Sequence, residues 1–355
     1  MKSYKVILHP ETLAKTRTYQ KALVEGQKKA GSFLLKKLYG KNISKLSIEE
    51  FIEAIVQTKQ PQIFAESAVY GDGKDWNLEE LSILGDISIA VPLTVFDNGA
   101  HSYPLVHKTP FEGMLMYTPG ALLRNGKNYT PADWNEVVKG QNIDDEGYYN
   151  LYKRRLLPVF LYVNTLSQNQ KAVLTIPGLG CGMFAGQFKG QLGAKLDQVL
   201  SRFLQECGAL LPNIKAVYYD PYQECQNRRE EWHGISYLVR PLTHNNQGKS
   251  QLSRVEILED AQDDFSDCKL YSIVAWDHVS WPGNDFYVGS RATDDGVKAA
   301  ATSSMWSMTG VEGAYSTFKN KYNPPKGYNN WDAVVSKNNI EIEVVNNLLV
   351  LPKKD

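Results

Sequence analysis

Residues 172–204 read AVLTIPGLGCGMFAGQFKGQLGAKLDQVLSRFL, and this stretch decides the fold class. The short apolar run at 172–176 is typical of a buried strand. A glycine-rich loop follows it, and apolar residues then recur at helical spacing from Leu192 to Leu204. A strand, a glycine loop and a helix in this order indicate an α/β fold, in which ligands bind at the carboxyl ends of the strands.

Further elements extend this pattern in both directions along the chain. Pro92 in the predicted strand 87–95 indicates an edge or a bend, and Pro158 predicts an interruption of the predicted helix 148–166. Gly, Pro, Tyr and Asn are frequent at 98–134, which favours long loops there. The other predicted strands are 87–95, 214–219, 235–239 and 270–276, and the other predicted helices are 13–38, 48–56, 148–166 and 296–308.

The chain has 355 residues, enough for one large domain or two ordinary ones. Helical patterns dominate the first 60 residues, and a Gly- and Asp-rich stretch at 71–77 breaks them. We therefore predict a helical N-terminal region at 1–80 and a second region at 81–355.

Composition excludes several classes of protein. The chain is 43% apolar and 22% charged with a formal net charge of zero, which argues against disorder and against nucleic acid as a main partner. No apolar run approaches the roughly 18 residues that span a bilayer, and the start lacks the apolar centre of a secretory signal. The four cysteines are widely separated, so neither a zinc site nor a disulfide framework is indicated. We expect a soluble protein from a reducing compartment.

The glycine loop is the first candidate binding element. Gly178, Gly180, Gly182 and Gly186 lie between the predicted strand and helix, where backbone N–H groups can surround a diphosphate and the helix N-terminus adds a favourable dipole. No Gly-Lys-Ser/Thr follows, so the loop is not a P-loop. The alternative interpretation is a tight turn from strand to helix without a ligand.

The second candidate element is an acidic stretch at 271–302. A strand ends at Asp277, a turn presents Asp285, and a helix begins near Asp295, so the three carboxylates are predicted to converge at one edge of the sheet. Carboxylates held close together raise one another's pKa, as in general acids and bases. Asn284 and Arg291 are candidates to orient them or a ligand.

Structural alternatives exist for several of these residues. Asp295, or a neighbouring Asp or Thr, fits an N-cap of the following helix, and Asn284 fits a turn. His278 fits either a proton carrier or a hydrogen-bonding residue. A divalent cation on the three aspartates lacks any supporting loop spacing, so no metal site is predicted.

Together the two stretches resemble the macrodomain superfamily. The segment 177–186 is similar to its pyrophosphate loop, and Ala275-Trp-Asp277 with the helix after Asp295 looks like a variant of its catalytic segment. The resemblance implies a three-layer α/β/α fold with a mixed sheet, to which the helical region 1–80 is added. It implies that 81–355 binds ADP-ribose as ligand or product and requires no cofactor. The reversed order of the two segments suggests a circularly permuted or strongly diverged member.

Residues 276–285 and 291–297 more closely resemble a group of macrodomain-like bacterial effectors that remove ADP-ribose from arginine on ubiquitin. The resemblance implies a hydrolase of N-glycosidic ADP-ribosyl bonds with Asp277, Asp285 and Asp295 as catalytic residues. It also implies secretion, action in the host cytoplasm, and an ADP-ribosylated protein, ubiquitin, as partner; we expect a monomer. Tyr219, Asp220 and Tyr222, at the end of the predicted strand 214–219, suit the adenine ring. The predicted ADP-ribose ligands are Gly178, Gly180, Cys181, Gly182, Met183, Phe184, Asn284, Arg291, Tyr219 and Asp220.

A mechanism follows from the charge that develops on ribose. Cleavage leaves an oxocarbenium-like carbon, which nearby carboxylates stabilise. Asp277 and Asp285 are expected to polarise ribose and water, and Asp295 to orient hydroxyl groups; the sequence does not identify the acid for the leaving group. Two other classes fit the same residues, a non-catalytic ADP-ribose reader and a hydrolase of another ribosyl or glycosyl substrate.

Overall fold

The computed structural model describes residues 3–63, 74–126 and 129–353, so the predicted loop at 71–77 lies partly outside the described residues. Most of the strands in this part belong to one sheet. The strands are β1 (Lys5–Leu8), β2 (Ser88–Asp97), β3 (Val106–Pro119), β4 (Val138–Lys139), β5 (Asn142–Ile143), β6 (Ala172–Pro177), β7 (Ile214–Asp220), β8 (Arg228–Trp232), β9 (Ile235–Val239), β10 (Lys269–Trp276), β11 (Ala314–Ser316), β12 (Lys321–Asn323) and β13 (Leu348–Val350).

In the described part of the chain the main sheet has nine strands in the order β13-β1-β2-β3-β10-β6-β7-β9-β8. Its centre is parallel, because β3, β10, β6, β7 and β9 pair with one another in the same direction. β2 is antiparallel to both β1 and β3, and β8 is antiparallel to β9. The carboxyl ends of the parallel strands therefore share one edge, where ligands of α/β proteins bind.

Helices cover both faces of the sheet. They are α1 (Pro10–Val24), α2 (Ser32–Leu38), α3 (Ile48–Val56), α4 (Leu78–Gly85), α5 (Trp134–Val137), α6 (Asp145–Leu166), α7 (Leu192–Cys207), α8 (Asp294–Ala300), α9 (Ser304–Thr309) and α10 (Trp331–Lys337). One buried apolar core contains side chains of α3, α4 and α8–α10, and a second core contains those of α6 and α7. The predicted three-layer α/β/α fold is confirmed.

Strand β10 shows why two cores form. Leu270, Val274 and Trp276 contribute to the first core, whereas Tyr271 and Ile273 contribute to the second. Successive side chains of a strand point to opposite faces, and a strand covered on both faces is apolar throughout. The sequence of β10 is a continuous apolar run because both of its faces are covered.

The N-terminal segment contributes to the same sheet and core. The capping box of α3, in which Ser47 and Glu50 bond each other's backbone N–H, forms where the sequence predicts the helix to begin. β1 is a strand that the sequence analysis missed, and it pairs with both β2 and β13. Four residues are too few for a periodic signal. The division of the chain at residue 80 stays a prediction.

The predicted loops at 98–134 are wrong over much of that stretch. β3 occupies Val106–Pro119 and pairs with β2 and β10. Its first half is mostly exposed and includes Pro110, whereas residues 113–119 are buried between two layers of helices. The composition of the exposed half therefore concealed a central strand.

One prediction about a proline is confirmed, whereas a second proline and one helix differ from prediction. Pro92 lies in β2 beyond Ala90, the last residue paired with β1, so that side of β2 is a local edge, as predicted. α6 continues through Pro158 without interruption. The single helix predicted at 296–308 is two helices, α8 and α9, because Thr302 between them bridges to Val95 of β2.

Candidate active site

Three loops meet at the carboxyl ends of β3, β10 and β6. The N–H of Gly120, just after β3, donates to the carbonyl of Trp276 at the end of β10 over 3.4 Å. The Tyr152 hydroxyl accepts the N–H of Ala121 and donates to the Leu179 carbonyl in the glycine loop, over 3.0 and 2.6 Å. The glycine loop and the acidic stretch, which are 91 residues apart between Gly186 and Asp277, therefore belong to one site.

The glycine loop is built for close backbone approach. Gly180 has a φ of +71°, which L residues rarely adopt, and a side chain on it would meet the backbone of Ala121. Within the described residues, the N–H groups of Gly182, Met183 and Phe184 donate to no acceptor, and Met183 is exposed. Such a run of N–H groups suits an anion.

The predicted contribution of the long helix to this loop is wrong. α7 begins only at Leu192, and the N–H of Gly193 in its first turn donates to the Glu224 carboxylate over 2.8 Å. A short 3₁₀ helix at Met183–Phe188 follows the loop instead. The α7 N-terminus is thus occupied by the Glu224 side chain and does not contribute to the glycine loop.

Asp277 organises the acidic stretch. Its Oδ1 accepts the N–H groups of Val279 and Ser280 over 2.8 and 2.6 Å, and its Oδ2 accepts the Asn284 amide over 2.8 Å. Burial raises the pKa of Asp277, while hydrogen bonds from Ser280 and Val279 and the charge of the Lys59 ammonium oppose the rise. The carboxylate therefore closes the loop 277–284 at the end of β10.

Asp295 approaches the same loop from the start of α8. Its Oδ2 accepts the N–H of Asn284 over 2.9 Å, and its Oδ1 accepts the Thr293 hydroxyl over 3.0 Å. Burial, with the negative charge of Asp277 next in importance, raises the pKa of Asp295 to about 8. Asp295 therefore holds a proton at neutral pH. The N-cap of α8 is Thr293, whose hydroxyl accepts the Gly296 N–H, so Asp295 is not the cap.

Asp285 has a different environment from the other two aspartates. It is 6% exposed and packs against Gly296, where an added Cβ would lie 2.7 Å from the Asp285 Cβ. Among the described residues, no donor bonds its carboxylate. The structure brings all three predicted aspartates to one loop. Asp285 is the one whose carboxylate oxygens accept no hydrogen bond from the described residues of that loop.

Asn284 joins this loop to the N-terminal segment. Its side-chain oxygen accepts the N–H of Ile63 and its amide donates to the Ile63 carbonyl, each over 3.0 Å. The same amide bonds Asp277. With these partners its side chain positions the loop.

His278 is buried beneath the loop. Its Nε2 lies 3.2 Å from Asp133, which also accepts a bond from the Arg155 guanidinium over 2.8 Å. Burial lowers the pKa of His278, and the ring meets Phe184 of the glycine loop edge to face, with centroids 6.1 Å apart. Of the two roles open in the sequence, hydrogen bonding matches this environment.

The remaining predicted ligands lie apart from the three aspartates. Arg291 bonds Asp97 through both terminal nitrogens, over 3.0 and 2.9 Å, and so links the β2–β3 turn to the segment before α8.

Tyr219 is buried in the second core, and its hydroxyl donates to the Gly193 carbonyl. Asp220 accepts the N–H groups of Tyr222 and Leu242, and burial raises its pKa. Gly178 packs against Cys181, whose pKa burial raises.

Two site residues had no signal in the sequence. Lys59 donates to the His278 carbonyl, and Asp133 bonds His278. Lys59 lies in the predicted helical region 1–80 and Asp133 in the predicted loops at 98–134, and neither belongs to a recognisable motif. Only long-range packing brings them to the site.

Two cavities in the described part of the molecule lie elsewhere. One of about 390 Å³ is lined by residues that include Pro92, Glu112 and Trp306, and another of about 340 Å³ by residues that include Asn142 and Gln191. Neither contains a predicted site residue. Across residues 3–63, 74–126 and 129–353, no three His, Cys, Asp or Glu side chains are grouped to hold a metal ion, and no helix is long and apolar enough to cross a membrane.

A mixed sheet between two helical layers, with a glycine loop and a carboxylate loop at the ends of adjacent parallel strands, defines a macrodomain-like protein. The family model described as "Macrodomain effector MavL" matches residues 4–328. The chain belongs to this family, and it is an ADP-ribose-related macrodomain effector. No curated protein matches the chain at a significant level.

Proposed function

We propose that this chain is an ADP-ribosylhydrolase that removes ADP-ribose from an arginine-modified protein. The observation that carries the proposal is the meeting of Asp277, Asp285 and Asp295 around Asn284, in a loop that adjoins the glycine loop. Membership of the macrodomain effector family supports ADP-ribose as the ligand. Neither loop alone would favour hydrolysis over binding.

ADP-ribose fits the two loops as one ligand. The N–H groups at 182–184 are the proposed donors to its pyrophosphate, because they have no acceptor in the described part of the chain. Phe184 and His278 are in ring contact, so the proximal ribose of a pyrophosphate held there lies toward the carboxylate loop. Gly180 supports this turn through its contact with Ala121. Asp220 is proposed for the adenine end.

The three carboxylates are proposed to divide the work as their surroundings suggest. Asp285, whose oxygens accept no bond from the described residues, takes a proton from the attacking water. Asp277 accepts three hydrogen bonds from the loop 277–284 and holds it in place. Protonated Asp295 donates to a ribose hydroxyl or to the leaving nitrogen.

The bond changes balance without a further reactant. The water oxygen bonds to the ribose carbon as the carbon–nitrogen bond breaks, and its electron pair leaves with the guanidine. The modified arginine enters as a guanidinium cation and leaves as neutral guanidine, and the proton that Asp285 takes from water restores the guanidinium. Asp295 contributes a hydrogen bond and keeps its proton. Negative charge beside the oxocarbenium-like carbon lowers the barrier.

We propose ubiquitin as the modified protein, and secretion into a host cytoplasm as the setting, on the resemblance in residues 276–285 and 291–297. The experiment is to incubate the full chain with arginine-linked ADP-ribosylated ubiquitin and to measure free ADP-ribose by mass spectrometry. Ubiquitin that carries serine-linked ADP-ribose is the matched control. Release from the arginine-linked substrate alone is expected.

A non-catalytic ADP-ribose reader is the second candidate. It is favoured by the hydrogen bonds that occupy Asp277 and Asp295, since these give both residues a role in shaping the loop. Calorimetric binding of ADP-ribose without release from any modified protein would replace the hydrolase proposal with the reader. Release from another ribosyl or glycosyl substrate, but not from arginine, would retain a hydrolase and reject the substrate.

A further inference from the structure

Lys59 lies directly behind the carboxylate loop. It follows α3 by three residues and is 2% exposed. Its ammonium donates to the His278 carbonyl over 2.6 Å and lies 3.8 Å from the centre of the Trp276 ring. Trp276 and His278 flank Asp277 in the chain, so the ammonium contacts the residues on both sides of that carboxylate.

The backbone around Lys59 is attached to the same loop. The N–H of Gln60 donates to the Val279 carbonyl over 2.8 Å, and the Gln60 carbonyl accepts the Trp281 N–H over 2.7 Å. Ile63 adds two bonds to the Asn284 side chain. The segment 59–63 thus runs alongside 278–284 and fixes the position of the ammonium relative to the loop.

A buried ammonium is costly unless a charge compensates it. Burial lowers the pKa of Lys59 to about 7, and the nearby charge of Asp277 opposes this shift. Lys59 in turn lowers the pKa of Asp277 and of His278. Among the described residues, Asp277 and His278 are the titratable groups that face it, with Asp133 and Arg155 behind His278.

We propose that Lys59 is a positioning residue for the hydrolysis of the ADP-ribosyl bond, which holds the Asp277 loop in place through the His278 carbonyl and the Trp276 ring and sets its ammonium group behind Asp277. The inference rests on the proposed function. It assigns part of the active site to the N-terminal helical region, outside the glycine loop and the acidic stretch. Lys59 does not touch the reacting atoms and acts through Asp277.

The test compares three variants of the full chain at Lys59. Lys59→Gln retains a hydrogen-bond donor and removes the charge, Lys59→Met removes both, and Lys59→Arg retains both. The matched control is Lys249→Met, because Lys249 also donates to a backbone carbonyl over 2.6 Å, that of Glu259, away from the loop. Thermal unfolding and ADP-ribose binding by calorimetry are measured first for each variant.

We expect Lys59→Gln to bind ADP-ribose as the parent does and to lose about 10- to 100-fold in kcat with little change in KM. The acid limb of its kcat/KM profile is expected to move up by about one pH unit, because Asp277 without the ammonium ionises less readily. Lys59→Arg should restore most of the rate, and Lys249→Met should match the parent. A purely structural role would lower stability without moving the acid limb.

Specific outcomes overturn the inference. A folded Lys59→Gln with parental kcat and an unmoved acid limb would reject it while the hydrolase proposal stood. If Lys59→Met does not fold, Lys59→Gln and Lys59→Arg still test the inference. Equal losses of kcat in these two variants would show that the charge of Lys59 has no role, and would also reject the inference. If the parent chain itself released no ADP-ribose, the proposed function would fall, and the role of Lys59 with it.

Discussion

Asp277, Asp285 and Asp295 are chemically identical side chains whose neighbours give them different properties. Asp277 accepts three hydrogen bonds, Asp295 accepts two and is protonated at neutral pH, and Asp285 accepts none from the described residues. Environments that separate the pKa values of paired carboxyl groups assign acid and base roles. At the scale of single residues, the site is therefore asymmetric.

Asp285→Asn tests the role of the water-activating carboxylate. We expect a loss of about 100- to 10,000-fold in kcat, because the amide cannot take a proton from water. Unfolding temperature and ADP-ribose affinity should change little, since the loop does not use these oxygens. Hydrolysis kinetics and calorimetry check this, with the exposed Asp264→Asn as control. Parental turnover in Asp285→Asn would assign water activation to another group.

Asp295 predicts a dependence of stability on pH. Its pKa in the fold, about 8, lies above the value of an unburied aspartate, so its contribution is present at low pH and is lost as the pH rises toward 8. Asp295→Asn mimics the protonated form and should gain stability relative to the parent between pH 5 and about pH 8. Chemical unfolding at several pH values measures the difference. A difference that stays constant over this range would show that Asp295 ionises normally.

At the scale of elements, the site depends on the contact between the loop after β3 and the glycine loop after β6. An added Cβ on Gly120 would lie 2.2 Å from the Gly180 nitrogen, closer than any packed structure allows. The parallel pairing of β3, β10 and β6 imposes this approach. Neither loop can move away without disturbing the hydrogen bonds of Tyr152 to both.

Gly120→Ala is expected to destabilise the fold by about 1–3 kcal/mol and to weaken ADP-ribose binding, because the added methyl group pushes the glycine loop outward. Gly248→Ala is the control, since a Cβ there meets no atom within 4 Å. Denaturant unfolding and calorimetry measure the two effects. Unchanged ADP-ribose affinity in Gly120→Ala would separate the glycine loop from the ligand site.

At the scale of the whole molecule, a buried network of charges ties the N-terminal region to the site. Asp86, just after α4, bonds both Arg154 and Arg155 of α6, and Arg155 bonds Asp133 below His278. Lys15 of α1 also bonds Asp86, over 2.7 Å. The positive neighbours hold the pKa of Asp86 far below its usual range.

Arg155→Met should lower the free energy of unfolding by about 3–5 kcal/mol, because it leaves buried carboxylates without their partner. Arg202→Met on α7 removes two solvent-exposed ion pairs, with Glu146 and Glu206, and should change stability little. Denaturant unfolding of both variants provides the comparison. Equal effects of the two substitutions would contradict the importance of the buried network.

Periodicity and local motifs in the sequence determine much of the fold. The bounds of α3 and β9 were predicted exactly, and the apolar runs at 172–176 and 270–276 identified the two strands that carry the site. The sequence also singles out the glycine loop and the three aspartates as candidates, because both stretches lie next to those strands. Local sequence sufficed where a backbone pattern and its neighbours decide the conformation.

Tertiary structure alone decided which side chains share the site. Arg291 lies near the aspartates in sequence but pairs with Asp97, and Tyr219 points into the core because side chains alternate along β7. Lys59 is more than 200 residues from Asp277 in the chain and reaches it only because 59–63 packs along the loop. A sequence pattern records the direction of a side chain relative to its own element, whereas its partner depends on how distant elements pack.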